Sequence, residues 1–173
     1  MPNHILQLDQ LLRDALPQFI AKIEQDDWQG KERDCVNRFA MGYLVPACGK
    51  HPFLQHPTQI GVEMSVRQPS RVGARPTAPK DLVIWRERWP RLWDDEEKAV
   101  LAPLAVLEWK VSRGAKGGRD TTHDTKWLRG FAKSNPKSVG YSIAVRFREA
   151  GQHCHLSVCR FVRDKHTLNW FEA

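Results

Sequence analysis

The chain has 173 residues, of which 41% are hydrophobic and 27% charged. This is one domain's worth of ordinary globular protein and excludes a disordered or collagenous chain. Its longest apolar run, Ala99 to Leu107, is broken by Pro103 and falls far short of the ~20 residues a membrane helix needs. The first twenty residues carry Asp9, Arg13 and Asp14, not the uninterrupted apolar stretch of a secretory signal. A cytoplasmic protein with no membrane partner is therefore expected.

The net charge is +7, with four acids gathered at Asp94 to Glu97. The positive surface either serves solubility or attracts a polyanion, and phosphate backbones are the commonest such partner. Cys35, Cys48, Cys154 and Cys159 make no CxxC pair, so reduced thiols are expected.

In chain order, Ile5, Leu8, Leu11, Leu12, Ala15, Phe19, Ile20 and Ile23 recur at threes and fours and predict an amphipathic helix within residues 1–28. Pro17 is expected to kink or divide it. From Lys31 to Leu44, Val36, Phe39, Ala40 and Tyr43 share a second helical face, with Glu32 one turn before Val36 on the core side. Ile60 to Arg67 alternates strictly, with Ile60, Val62, Met64 and Val66 on one side of a half-buried strand. The Pro/Gly/Arg-rich stretch up to Lys80 reads as a loop. Asp81 then opens a short strand, Leu82 to Trp85, and a charged connection follows that holds a short helix at its acidic end.

Leu104 to Val111 is the most apolar strand. A Gly-rich basic stretch leads from it to a helix over Thr122 to Ser134, and strands follow at Tyr141 to Phe147 and Cys154 to Val162. The whole chain reads as a single domain: an N-terminal helix (1–28), a core (31–147) and a C-terminal strand (153–163). The class is α/β or α+β, a central mixed sheet flanked by helices. Strands separated by the 122–134 helix are expected to run parallel, and the earlier ones to form an antiparallel meander.

An acid in an apolar strand is costly unless it is paired or binds a metal. Glu108 and Lys110 interrupt the strand Leu104 to Val111, and their spacing of two puts both on one face, where the ammonium can hold the carboxylate. Asp81 begins the neighbouring strand. Two carboxylates converging at a sheet edge beside a lysine suit a hard divalent cation such as magnesium.

Pro79-Lys80-Asp81 followed twenty-seven residues later by Glu108-Trp109-Lys110 resembles the PD-(D/E)xK nuclease superfamily. A lysine separates Pro79 from Asp81, a departure from that pattern. The acid-x-Lys tripeptide alone says little, since chance gives about 1.3 in such a chain and three occur. Of these, Glu96-Glu97-Lys98 lies in the acidic cluster and Asp124-Thr125-Lys126 at a helix start, where an acid serves the cap and dipole. The resemblance covers about two-thirds of the chain. It implies a restriction-endonuclease-like core of αβββαβ order preceded by an extra N-terminal helix.

It further implies a magnesium-dependent deoxyribonuclease, with manganese as a substitute. Asp81, Glu108 and the Trp109 carbonyl would ligate the metal, Glu32 would assist through water, and Lys110 would orient the attacking water or stabilise the transition state. Arg67, Arg71, Arg75 and Lys80 before the site, and Arg113, Lys116 and Arg119 after it, are expected to contact the DNA backbone. Lys126 is expected to face the site from the following helix. One site cuts one strand, so double-strand cleavage would need a homodimer, for which the N-terminal helix is the expected interface.

The other readings are a non-catalytic nucleic-acid-binding module or assembly subunit of the same fold, and a structural protein in which Glu108 and Lys110 form only an ion pair. His153, Cys154, His155 and Cys159 lack finger-like spacing and read as an ordinary strand. Trp85, Trp89 and Trp93, at four-residue intervals, either pack in a core or stack on bases.

Overall fold

Six strands form one sheet in the computed structural model, and their spatial order is their order in the chain. The structure describes residues 3–69, 76–88, 102–114, 122–147, 154–163 and 165–172. The strands are β1 (Ile60–Arg67), β2 (Thr77–Ile84), β3 (Ala105–Arg113), β4 (Val139–Phe147), β5 (His155–Val162) and β6 (Lys165–Glu172). All neighbours are antiparallel except β3 and β4, which run parallel from Ala105↔Val139 to Arg113↔Phe147. The helix between β3 and β4 provides the crossover that a parallel pair requires. The expected mixed sheet and early meander are thus present.

Helix α1 (Asn3–Gln25) is a single helix that runs through Pro17 undivided. Its apolar stripe enters the larger core, where Phe19 meets the fully buried Trp109 ring edge-on at 5.8 Å between centroids. The apolar stripe of α1 is therefore used inside the chain, while Leu6, outside that stripe, is exposed. Helix α2 (Glu32–Phe39) continues through a π-helical turn, Ala40–Leu44, into the short α3 (Val45–Ala47). Cys35, Val36 and Phe39 are buried in the same core. On the opposite side, α4 (Thr122–Ser134) packs Trp127, Leu128, Phe131 and Ala132 with Val83, Val106 and Phe161.

Three features differ from the sequence reading. The loop expected up to Lys80 gives way to strand from Thr77, so β2 is twice as long as expected. Its first half pairs with β1 alone, and Pro79 is tolerated there because one flank carries no ladder. In β1 the strict alternation fails. Ile60 and Val62 pack with the larger core, Met64 and Val66 with the α4 side, and Glu63 between them has φ 54°. Strand β6 was not anticipated, since most of its side chains are exposed and carry no period-two signal. It pairs as a hairpin, Val162↔Lys165, with Arg163 at φ 53°.

A buried polar knot ties α1 to the far half of the sheet. Arg160 donates two hydrogen bonds of 2.7 Å to Asp9, and the Tyr141 hydroxyl donates a third of 2.7 Å. Burial, and then the Asp9 charge, push the Tyr141 phenol well above its usual pKa, so it stays a donor. Tyr141→Phe should keep the fold and cost about 1.5–3 kcal/mol, the range for a hydrogen bond to a charged group. The check is the urea midpoint at constant slope.

The expected short helix near Asp94 to Glu97, and with it Trp89 and Trp93, lies outside the described residues, as do Arg71, Arg75, Lys116, Arg119 and His153. No described helix is long and apolar enough to cross a membrane.

Candidate functional site

The sheet forks where the candidate residues lie. Strand β2 pairs with β3 at Ile84↔Ala105, Val83↔Val106 and Leu82↔Leu107, and no further. Beyond that point β2 continues with β1 while β3 continues with β4. The next opposed residues are Asp81 and Glu108. The Asp81 side chain bridges the parting, its Oδ2 accepting the Trp109 N–H at 2.7 Å. A carboxylate thereby satisfies a backbone donor that the ladder has abandoned.

Glu108 is buried at 4% exposure and forms an ion pair with Lys80, which is buried at 5%. The Lys80 ammonium also lies 3.9 Å from the centroid of the Trp127 ring. Two expectations are corrected here. Lys80 is not a surface contact for DNA, because it is enclosed between Glu108 and Trp127. The partner of Glu108 is Lys80 and not Lys110, because beyond the fork β2 does not keep the alternation that would send Lys80 to the other face.

Burial pushes the Glu108 carboxyl up from 4.5 to about 7. The attraction of Lys80 offsets this only in part, and Asp81 and Asp124 add to the rise.

Lys110 has three acceptors. Its Nζ lies 2.9 Å from Asp124 Oδ2 in the first turn of α4, 3.0 Å from the Trp109 carbonyl, and 3.7 Å from Glu32 Oε1 at the start of α2. Burial alone would lower its pKa. The hydrogen bond and charge of Asp124, helped by Glu32 and Asp81, outweigh burial and leave it raised. Lys110 is thus a held cation at neutral pH, suited to stabilising negative charge and not to removing a proton. Glu32 reaches the site as expected.

The Trp109 carbonyl, expected as a metal ligand, accepts the Lys110 ammonium instead. Asp124 was missed because an acid in a first helical turn is already explained by the helix dipole. Its spacing from Lys126, which puts the two on different sides of the helix, was the available signal.

Strands β1 and β3 run in the same direction, so Arg67 and Arg113, both exposed, end at one edge of the sheet, the edge towards which the fork opens. Lys126 is exposed on α4, two residues and so about 200° round the helix from Asp124. With Arg129 and Lys133 it forms an exposed basic stripe at helical spacing, opposite the buried Trp127, Leu128 and Phe131. Sequence reading missed Arg129 and Lys133, although their spacing of three and seven from Lys126 was visible.

Cys154, just before β5, packs into the larger core, and Cys159, within β5, against the smaller. All four cysteines are free, and burial, with Cys154 nearby, pushes the Cys35 thiol to about 12. Among the described residues no group of three or more His, Cys, Asp and Glu side chains is arranged to hold a metal ion. No protein-family model, curated protein or solved structure matches this chain.

Proposed function

We propose that the chain is a metal-dependent phosphodiesterase of the PD-(D/E)xK type, with a restriction-endonuclease-like core, acting on DNA. The observation that carries this reading is the fork: Asp81 and Glu108 face each other where β2 leaves β3, with the Lys110 cation two residues on. The donor chemistry fits one hard divalent ion. Asp81 Oδ1 and Glu108 Oε2 accept no hydrogen bond from the described residues. Magnesium is commonly held by one or two carboxylates together with waters and substrate phosphate.

When bound there, the ion would lower the pKa of a ligated water and neutralise charge on the scissile phosphate. The protein's own contribution is positional. Asp124, Glu32 and the Trp109 carbonyl hold the Lys110 ammonium from three sides, so its charge needs no reorganisation when negative charge develops on the phosphate. The basic edge at Arg67 and Arg113 and the stripe on α4 hold the DNA backbone.

Nicking of supercoiled plasmid in magnesium tests the reading. Wild-type protein should nick, chelator should abolish it, and Asp81→Asn should lose it while melting normally. A second reading, a non-catalytic DNA-binding module, is favoured by one feature: Lys80 already neutralises Glu108. Salt-dependent DNA binding with no nicking in magnesium or manganese would select it.

Replacing Lys126, Arg129 and Lys133 together by Ala should weaken DNA binding for all sequences alike. It should also reduce the slope of log K against log salt by about 2.7, at roughly 0.9 per lost phosphate contact. Fluorescence anisotropy over a salt series measures this, and an unchanged slope would assign the stripe to solubility.

A further inference from the structure

We propose that Lys80 is a resident cation in the place of a second metal ion, so that the Asp81–Glu108 site takes one divalent cation and not two. The inference rests on the metal-dependent reading above. Two-metal phosphodiesterase sites hold a pair of ions about 3.5–4 Å apart, and each ion needs its own share of carboxylate oxygens. Here that supply is halved. Asp81 commits Oδ2 to the Trp109 N–H, and Glu108 commits Oε1 to the Lys80 ammonium. One oxygen of each remains, which suffices for a single ion completed by waters.

Glu32 and Asp124 each turn one oxygen to Lys110, which holds them on the Lys110 side of the site. Lys80 is not free to swing out either. Its side chain is 6% exposed, and its ammonium lies 3.9 Å from the centre of the Trp127 ring, which favours a cation.

Charge agrees with the oxygen supply. Glu108 feels the charges of Lys80, Asp81 and Asp124, and Lys110 those of Asp124, Glu32 and Asp81. When all are ionised, four carboxylates face two ammonium groups, and the net of two negative charges matches one divalent ion. Without Lys80 the net becomes three, and a second ion is drawn in.

The test is a titration of the full chain with manganese at pH 8, counted by calorimetry. Wild-type protein should bind one ion with the six-line paramagnetic spectrum of an isolated centre. Lys80→Gln should bind two, with a spectrum broadened by coupling, and Lys80→Arg should return to one. Two ions on the wild type, or one on a folded Lys80→Gln, would overturn the inference and leave the metal-dependent reading standing. No ion on the wild type or on Lys80→Gln would overturn both. If Lys80→Gln does not fold, the wild-type count and spectrum decide alone.

Discussion

Lys110→Met is expected to fold, to bind magnesium and DNA, and to hydrolyse DNA a hundredfold or more slowly than the wild type, the loss typical of removing one preorganised charge-stabilising group. Methionine keeps most of the aliphatic stem, so packing against the sheet changes little. The groups left behind are Asp124 and Glu32, whose side chains are 18% and 25% exposed. Water reaches both, so the loss of their partner should cost well under the several kcal/mol of a fully buried pair. Glu108, the enclosed acid, keeps its own partner in Lys80. Thermal melting beside plasmid nicking separates chemistry from stability. A variant that melts early and retains normal specific activity would remove Lys110 from catalysis.

Lys80→Met is expected to have the opposite signature, a loss of stability that grows above neutral pH by about 1.4 kcal/mol per pH unit, and the loss should fade in acid. Glu108 has a folded pKa near 7 against an ordinary 4.5. For a carboxyl raised in this way, the stabilising effect is full below the unfolded value and is lost as pH rises through the folded one. In the wild type that decline runs from about pH 4.5 to about 7 and then stops. Without Lys80 the attraction that lowers the pKa is gone, while burial and the charges of Asp81 and Asp124 remain. The decline therefore continues to higher pH.

At pH 5 Glu108 is neutral in both proteins and the difference between them should be small. At pH 8.5 it should have grown to about 2 kcal/mol. Urea unfolding of metal-free protein at the two pH values measures this. A loss equal at both would trace to the packing of the Lys80 stem on Trp127 and not to charge.

Elements whose side chains obey one period along their whole length were legible in the sequence. Helix α1 shows its threes and fours from Ile5 to Ile23, and the parallel pairing of β3 with β4 followed from the helix between them. The positions of the site were legible for the same reason. Glu108 and Lys110 are conspicuous because charge in an apolar strand demands an explanation, and Asp81 because it precedes the next apolar run.

What escaped was every feature where one strand changes its surroundings midway. Strand β1 turns its faces over at Glu63, β2 passes from three-strand to two-strand company at Asp81, and β6 carries almost no buried face. Period two presumes a constant neighbour on each side, and that presumption fails at a fork.

The sequence by itself therefore determined which residues are chemically out of place in their strands and in what order helices and strands follow. Only the tertiary structure decided the partners, giving Lys80 to Glu108 and Asp124 to Lys110. The reason is physical: alternation assigns a residue to a face of its own strand. Which charge meets it there depends on where neighbouring strands part and on which helix, from either side of the sheet, brings its first turn to the gap.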